Sequence, residues 1–261
     1  MTKTVVVPLD GSRFAERAVP IAIELSQRLP ADVELMTTES KGRRAGERYL
    51  DRVAAQHPNV DLRRHVVPFD DAPTAIVYAA LEVADGTVCM TSHGRGGLRW
   101  AALGSVAEEA VRRLDRPTVL IGRHCKPGRG EPRELVVCWD GTAHSLASFD
   151  AACTWAKALD LDLHFLRIGY PIDMTTRDHY DAAVEAAVVA AQADGLKVHR
   201  TMLVDAYVAG RISDFAASRP VAMIAMATHA RTGIERLGLS SVTMGVVGSA
   251  PCPVLVTRAA D

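Results

Sequence analysis

The chain repeats the same motifs in the same order, and this duplication constrains the fold more than any single motif does. TVVVPLDGS, which begins at Thr4, recurs as ELVVCWDGT from Glu134. MTSHGRGGLRWAALGSV, which begins at Met90, recurs as MATHARTGIERLGLSSV from Met226. Because the order is the same in both halves, the 261 residues are predicted to be a tandem duplication of one folding unit.

The segment between the two copies has the composition of a linker. Residues 123–133, RHCKPGRGEPR, are rich in proline, glycine and charge. We therefore expect an amino-terminal domain over residues 1–122, this linker, and a carboxy-terminal domain over residues 134–261.

Short apolar runs alternate with helical patterns in each copy, which is typical of βα units. The strands predicted for the first copy are Lys3–Leu9, Asp32–Thr38, Val60–Val67, Thr87–Ser92 and Thr118–Gly122. The helices predicted between them are Ser12–Arg28, Arg43–Gln56, Pro73–Ala84 and one that follows Gly104. Pro20 predicts a kink or break in the first helix, because proline lacks an N–H and crowds the preceding turn.

The second copy repeats the pattern, with strands near Leu135, Leu163, Val198, Met223 and Val254 and a long helix near Met174–Ala193. Apolar strands joined by helices require a parallel sheet that is covered on both faces. The expected fold class is therefore α/β, with two tandem doubly wound five-stranded parallel-sheet domains of strand order 3-2-1-4-5.

Composition narrows the classes of partner. The net charge is −1 without a long run of one sign, which disfavours nucleic acid and membrane surfaces as partners. The beginning of the chain has no signal-peptide pattern and no apolar stretch approaches a membrane span, so a cytoplasmic location is expected. Five cysteines without a CxxC motif indicate reduced core thiols, and no metal site is predicted.

A glycine-bearing loop follows the fourth strand of the first copy and leads into a helix. Gly94 and Gly104–Ser105 bracket it, and it matches neither GxxxxGK[ST] nor GxGxxG. Its backbone N–H groups and the positive helix end favour an anion, most naturally a phosphate. Arg95 is a further candidate phosphate contact, or a solvated loop arginine. The alternative interpretation is an ordinary βα turn in which Ser105 caps the helix.

Two motifs converge on one crevice of the predicted sheet. Ligands of open α/β sheets bind beyond the carboxyl ends of the strands, where the winding direction reverses. In the order 3-2-1-4-5, that point lies between the strand that ends near Asp10 and the strand that ends near Thr91. Asp10 could accept from a ligand hydroxyl there, or it could simply form a turn before Gly11.

The loop spacing resembles the nucleotide loop of the universal stress protein family, G-x-x-G, nine residues, then G-S or G-T. Gly94 takes the second glycine and Gly104–Ser105 the closing pair, whereas Thr91 stands at the first glycine. The resemblance extends over nearly the whole chain, twice, and includes the strand ends VPLDGS and VCWDGT.

The resemblance implies that ATP or AMP binds in the crevice, and Mg²⁺ is compatible with its phosphates. The resemblance implies contacts to the adenine and ribose for Pro8 and Asp10, and a backbone contact to the base for Thr37. Contacts to the ribose and phosphates are implied for Gly94, Gly104, Ser105 and Val106. Family members pair through the last strand of each sheet, which implies a pseudo-dimer within the chain and allows a homodimer. Protein partners are not specified by the sequence.

The leading functional hypothesis is an ATP-binding stress-response regulator with at most slow hydrolysis. No catalytic residue is assigned, because His93, which recurs as His229, is more typical of a packed loop histidine than of a base. One alternative is an enzyme of the related adenine-nucleotide hydrolase architecture that hydrolyses a nucleotide or transfers an adenylyl group. A second is a cyclic-AMP-binding or pure interaction module.

The second copy lacks the glycines of the loop. Ala227, Ala230 and Ser240 replace them, whereas Ser241 and Val242 keep the closing pattern. Where a replaced glycine had positive φ, each change would cost about 1 kcal/mol and crowd a phosphate. We therefore expect one good nucleotide site per chain, in the amino-terminal domain.

Overall fold

The structure, a computed structural model, describes residues 3–94, 103–126, 131–140, 143–169, 182–228 and 239–258. The chain divides into two compact units, unit 1 (Met1–Ile121) and unit 2 (Gly122–Asp261).

Unit 1 is a five-stranded parallel sheet with helices on the connections. Its strands are β1 (Thr4–Pro8), β2 (Asp32–Thr38), β3 (Leu62–Val67), β4 (Gly86–Thr91) and β5 (Thr118–Ile121). Its helices are α1 (Arg13–Glu16), α2 (Ala18–Arg28), α3 (Arg43–Ala54), α4 (Ala72–Glu82) and α5 (Ser105–Arg113). The strand order is β3-β2-β1-β4-β5, so the winding reverses between β1 and β4.

Unit 2 has the same order, β8-β7-β6-β9-β10, and is also parallel. Its strands are β6 (Glu134–Trp139), β7 (Asp162–Gly169), β8 (Val198–Val204), β9 (Val221–Thr228) and β10 (Val254–Arg258). Its helices are α6 (Ala143–Ala158), α7 (Ala182–Ala193), α8 (Val208–Ala217) and α9 (Ser241–Ser249). The predicted fold class is confirmed. The start of the helix predicted from Met174 lies outside the described residues.

The predicted break in the first helix is present. Helix α1 ends at Glu16 and α2 begins at Ala18, which places Pro20 in the first turn of α2. Proline is tolerated there because the N–H groups of a first helical turn have no acceptor within the helix, so the N–H that proline lacks is not needed. Ser12 caps α1, and its hydroxyl accepts from the amide of Ala15 at 3.1 Å. The short α1 therefore begins three residues after Asp10.

Burial on both faces of the sheet explains why the strands read as continuous apolar runs. Val5, Val6 and Val7 of β1 are all fully buried, although consecutive residues point to opposite faces. All five cysteines are thiols rather than disulfides, and four are buried. Among the described helices, none is both long and apolar enough to cross a membrane.

A buried ionic cluster lies at the amino-terminal edge of the unit 2 sheet. The guanidinium of Arg219 donates to both oxygens of Glu134, from Nε at 2.8 Å and from Nη2 at 2.5 Å. His164 Nδ1 lies 3.3 Å from Glu134 Oε2, and its ring stacks on His199, which pairs with Asp162. Burial lowers the pKa of His164, with Glu134 opposing that shift. Burial alone would raise the pKa of Glu134, but Arg219 outweighs it and the pKa is lowered.

Both shifts predict that acid destabilises unit 2. His164 is neutral when folded but binds a proton near its ordinary pKa of 6.5 when unfolded, so stability falls as pH drops below that value. Glu134 adds a second loss below its ordinary pKa of 4.5. Each unit by which the pKa in the folded protein lies below that in the unfolded chain corresponds to about 1.4 kcal/mol of unfolding free energy.

Urea unfolding at pH 7.5 and pH 5.5 measures this effect. We expect wild type to lose stability at pH 5.5 and His164→Phe to lose less. The exposed His124 of the same unit provides the control, since His124→Gln should keep the wild-type loss. An equal loss in wild type and His164→Phe would contradict the assignment.

Candidate functional site

A cavity of about 850 Å³ opens at the carboxyl ends of the unit 1 strands, where the winding reverses. The turn after β1, the end of β2, the segment after β4 and the start of α5 all contribute to its wall. All seven predicted site residues line it: Pro8, Asp10, Thr37, Gly94, Gly104, Ser105 and Val106. The structure therefore brings together residues that are up to 98 positions apart in the sequence, from Pro8 to Val106.

Asp10 forms a turn and also faces the loop after β4. Its Oδ1 accepts from the amide of Ser12 at 2.8 Å, and Gly11 between them has a φ of 85°, which favours glycine. A Cβ placed on Gly94 would lie 2.5 Å from Asp10 Oδ2. One oxygen of the Asp10 carboxylate thus forms the turn, and the other lies beside Gly94 at the cavity.

Helix α5 presents its amino terminus to the cavity without a side-chain cap. Gly104 is the N-cap residue, and its amide donates to the carbonyl of Ser92 at 2.7 Å. Ser105 is the first helical residue, so the alternative interpretation, in which Ser105 caps the helix, is wrong. The amides of Ser105, Val106 and Ala107 have no partner within the helix. These amides and the positive helix end make this wall suited to an anion.

The loop histidine has a structural environment. His93 is 5% exposed, and its Nδ1 lies 2.9 Å from Ser92 Oγ. Its carbonyl accepts from Thr91 Oγ1 at 2.7 Å, and its ring packs edge-on against Phe14. Thr91 therefore uses its hydroxyl to hold the loop at the position where the family pattern has a glycine.

Thr37 closes the opposite wall. Its hydroxyl donates to the carbonyl of Leu9 at 2.8 Å, which ties the end of β2 to the turn that carries Asp10. Gly46 of α3 lies against it, because a Cβ on Gly46 would come within 3.1 Å of Thr37 Cγ2. The side-chain donor of Thr37 is thus committed to the protein.

Sequence reasoning missed four ionisable residues that line the cavity: Lys41, Tyr49, Asp70 and Glu108. Lys41 and Asp70 each follow the end of a predicted strand, β2 and β3, by three residues. Their position after a strand end is the sequence signal that could have identified them. Tyr49 and Glu108 lie within helices, and only knowledge of which helix face meets the cavity identifies them. Together the lining residues include three carboxylates, on Asp10, Asp70 and Glu108, and one ammonium group, on Lys41.

The corresponding loop of unit 2 departs from the expectation. Ser240 has φ −60° and ψ 154°, a conformation open to any residue, and Gly104 has nearly the same angles, −78° and 153°. Positive φ was the condition for backbone strain, and Ser240 does not meet it. Ser240 instead caps α9, and its hydroxyl accepts from the amide of Thr243 at 3.0 Å. Arg95, His229 and Ala230 lie outside the described residues.

Larger side chains occupy the strand ends of unit 2. Trp139 stands at the position of Leu9, and Arg167, the sixth residue of β7, stands at the position of Thr37 in β2. The two are register partners, and the guanidinium carbon of Arg167 lies 4.7 Å from the centre of the Trp139 ring. A cation–π pair thus replaces the small residues of the unit 1 cleft.

Comparison with known proteins identifies the family. The universal stress protein family model matches residues 36–122 and 132–258, more than half of the chain. The chain therefore belongs to the universal stress protein family, with two copies in tandem, as the resemblance implied. A universal stress protein of Methanocaldococcus jannaschii is 29% identical over 140 residues, which are 48% of this chain and 82% of that protein.

Solved structures share the fold. The crystal structure of a universal stress protein from Archaeoglobus fulgidus has a TM-score of 0.68, is 17% identical and covers 98% of both chains. A functionally unknown protein from Pseudomonas aeruginosa has a TM-score of 0.67 and is 14% identical. The match covers 99% of this chain and 93% of that one. The whole tandem architecture is thus shared with other proteins.

The contact between Gly94 and Asp10 predicts a measurable coupling. Gly94→Ala places a methyl group against Asp10 Oδ2, so the carboxylate must move. In an Asp10→Ala background the obstacle is absent. We expect Gly94→Ala to be less favourable in wild type than in Asp10→Ala by about 1 kcal/mol of unfolding free energy. Urea denaturation of the four proteins measures this difference, and equal effects in both backgrounds would contradict the geometry.

Proposed function

We propose that unit 1 binds an adenine nucleotide, ATP or AMP, and that the protein is a nucleotide-dependent regulator of the stress response with at most slow hydrolysis. One observation carries the proposal: the seven positions at which the family resemblance implies nucleotide contacts all line one cavity. These positions lie on separate strands, loops and a helix, and a common cavity is what a shared ligand requires.

The size and walls of the cavity support a nucleotide as the occupant. A volume of about 850 Å³ lies within the usual range for small-molecule and cofactor sites. The amides at the start of α5 provide an anion-binding end for the phosphates. Asp10 provides an acceptor for the ribose hydroxyls at the other end of the cavity. Glycine at position 104 keeps the phosphate approach free of side-chain atoms.

The charge of the cavity favours a nucleotide that carries a cation. Among the described residues that line it, three carboxylates stand against one ammonium group, so together these groups repel a bare triphosphate. Among the described residues, no group of three His, Cys, Asp or Glu side chains is placed to hold a metal ion. We infer that Mg²⁺ would be bound mainly through the nucleotide phosphates, where it would offset their charge.

A binding role is favoured over turnover. His93 Nδ1 is taken up by Ser92 Oγ, and the ring is buried against Phe14, as expected for a residue that shapes the loop. A nucleotide bound between α3, α4 and α5 would instead order the surfaces of these helices. Partner proteins that read those surfaces would then sense nucleotide occupancy.

A single site per chain is supported by the differences in unit 2. Ser240 places a side chain where Gly104 has none, and its hydroxyl caps α9. Arg167 and Trp139 stand where unit 1 has Thr37 and Leu9, and Trp139 is 4% exposed. These substitutions leave less room at both the phosphate end and the base end.

Calorimetric titration with Mg²⁺ and ATP tests the proposal. We expect one site per chain in wild type. Gly104→Val should weaken binding at least about tenfold, which corresponds to 1.4 kcal/mol, because its Cβ meets Ser92 O at 3.3 Å and its methyl groups obstruct the phosphate.

The same change at the counterpart position gives a matched control. Ser240→Val removes a helix cap and should lower stability by about 1 kcal/mol, yet leave affinity and stoichiometry unchanged. Two equal sites in wild type, or Gly104→Val binding as tightly as wild type, would contradict the proposal.

A further inference from the structure

Helix α3 contributes a tyrosine that joins the cavity wall to the turn carrying Asp10. Tyr49 lines the cavity, and its hydroxyl accepts a hydrogen bond from the amide of Gly11 at 3.1 Å. The two residues are 38 positions apart, so this bond connects two separate elements.

Two hydrogen bonds to backbone amides shape the turn. Asp10 Oδ1 accepts from the amide of Ser12, and the Tyr49 hydroxyl accepts from the amide of Gly11, which has the left-handed φ of 85°. Gly11 is exposed and has no side chain to pack. Tyr49 therefore restrains the peptide that follows Asp10 from the side of α3.

The tyrosine hydroxyl is held in place from its other side. Burial, followed by the charge of Glu16, raises the pKa of Tyr49 well above its usual value, so the hydroxyl keeps its proton. It is hydrogen-bonded to Glu16 as well as to Gly11. The guanidinium of Arg52 lies over the ring, 5.2 Å from its centre, and donates to Glu16 Oε1 at 3.3 Å. The hydroxyl is therefore a fixed acceptor for Gly11.

We propose that Tyr49 is a positioning residue for the ligand site of unit 1. By fixing Gly11, it orients the Asp10 carboxylate toward Gly94 and the cavity, where the carboxylate accepts from the ribose hydroxyls of the nucleotide. This inference rests on the proposed function, since it assigns Tyr49 a role in that same site. It predicts that Tyr49 affects affinity only through Asp10 and only for ligands with ribose hydroxyls.

The test is a double-mutant cycle read with two ligands. Tyr49→Phe, Asp10→Asn and the double variant are titrated with Mg²⁺ and either ATP or 2′,3′-dideoxy-ATP, which lacks both ribose hydroxyls. We expect Tyr49→Phe to weaken ATP binding roughly 2- to 10-fold, the range of one hydrogen bond, and the double variant to be no weaker than Asp10→Asn. Binding of the dideoxy analogue should be nearly the same in all four proteins.

Tyr78→Phe is the matched control. The Tyr78 hydroxyl donates to Glu82 on the exposed side of α4 and does not line the cavity, so its removal should leave both ligands unaffected. A readout without ligand is the hydrogen exchange of the Gly11 amide, which should be faster in Tyr49→Phe than in wild type or Tyr78→Phe.

The outcomes separate this inference from the proposed function. Wild type that binds neither ligand overturns both. Wild type that binds ATP, with Tyr49→Phe binding equally well, overturns the role of Tyr49 alone. Losses that multiply in the double variant, equal losses for the dideoxy analogue, or unchanged exchange at Gly11 would each show that Tyr49 does not act through Asp10.

Discussion

The parallel pairing of β1 with β4 is the constraint on which the site depends. Thr4 pairs with Gly86 and Val6 with Val88, so the two strands run side by side and end at the same edge of the sheet. Because the connections on either side of this pair wind in opposite directions, no crossover helix covers the gap between the strand ends. Asp10 and Gly94 meet in that gap. Val5, Val6 and Val7 of β1 are fully buried, so this pair of strands lies in the core of unit 1.

The two units show how one fold can carry different chemistry. Their sheets have the same order and their cores are built in the same way, since a parallel sheet needs apolar strands on both faces. Divergence is concentrated where the strands end. The small Leu9 and Thr37 of unit 1 correspond to the stacked Trp139 and Arg167 of unit 2. These positions lie at the carboxyl ends of the strands, where ligands of open α/β sheets bind, so substitution there changes the chemistry of the site while the strand order stays the same.

The sequence predicted the features of the fold that follow from hydrophobic periodicity and from the repeated motifs. The alternation of apolar strands with helical patterns predicted the parallel sheets, the duplication predicted two folding units, and the backbone chemistry of Pro20 predicted the break in the first helix. Prediction failed where one residue decides local geometry. Spacing could not show that Gly104 is the N-cap residue or that Ser240 adopts ordinary angles, because both depend on where the helix begins. Tyr49 could not be found at all, since its contact joins a helix to a turn 38 residues away.

Backbone amide chemical shifts of the protein, followed as ATP and Mg²⁺ are added, test the central claim most directly. The account predicts saturable shifts concentrated at the amides of Gly94, Gly104, Ser105 and Val106 and in the turn after Asp10, without matching changes around Ser240. Absence of shifts at millimolar nucleotide, or shifts confined to residues outside the unit 1 cavity, would contradict it.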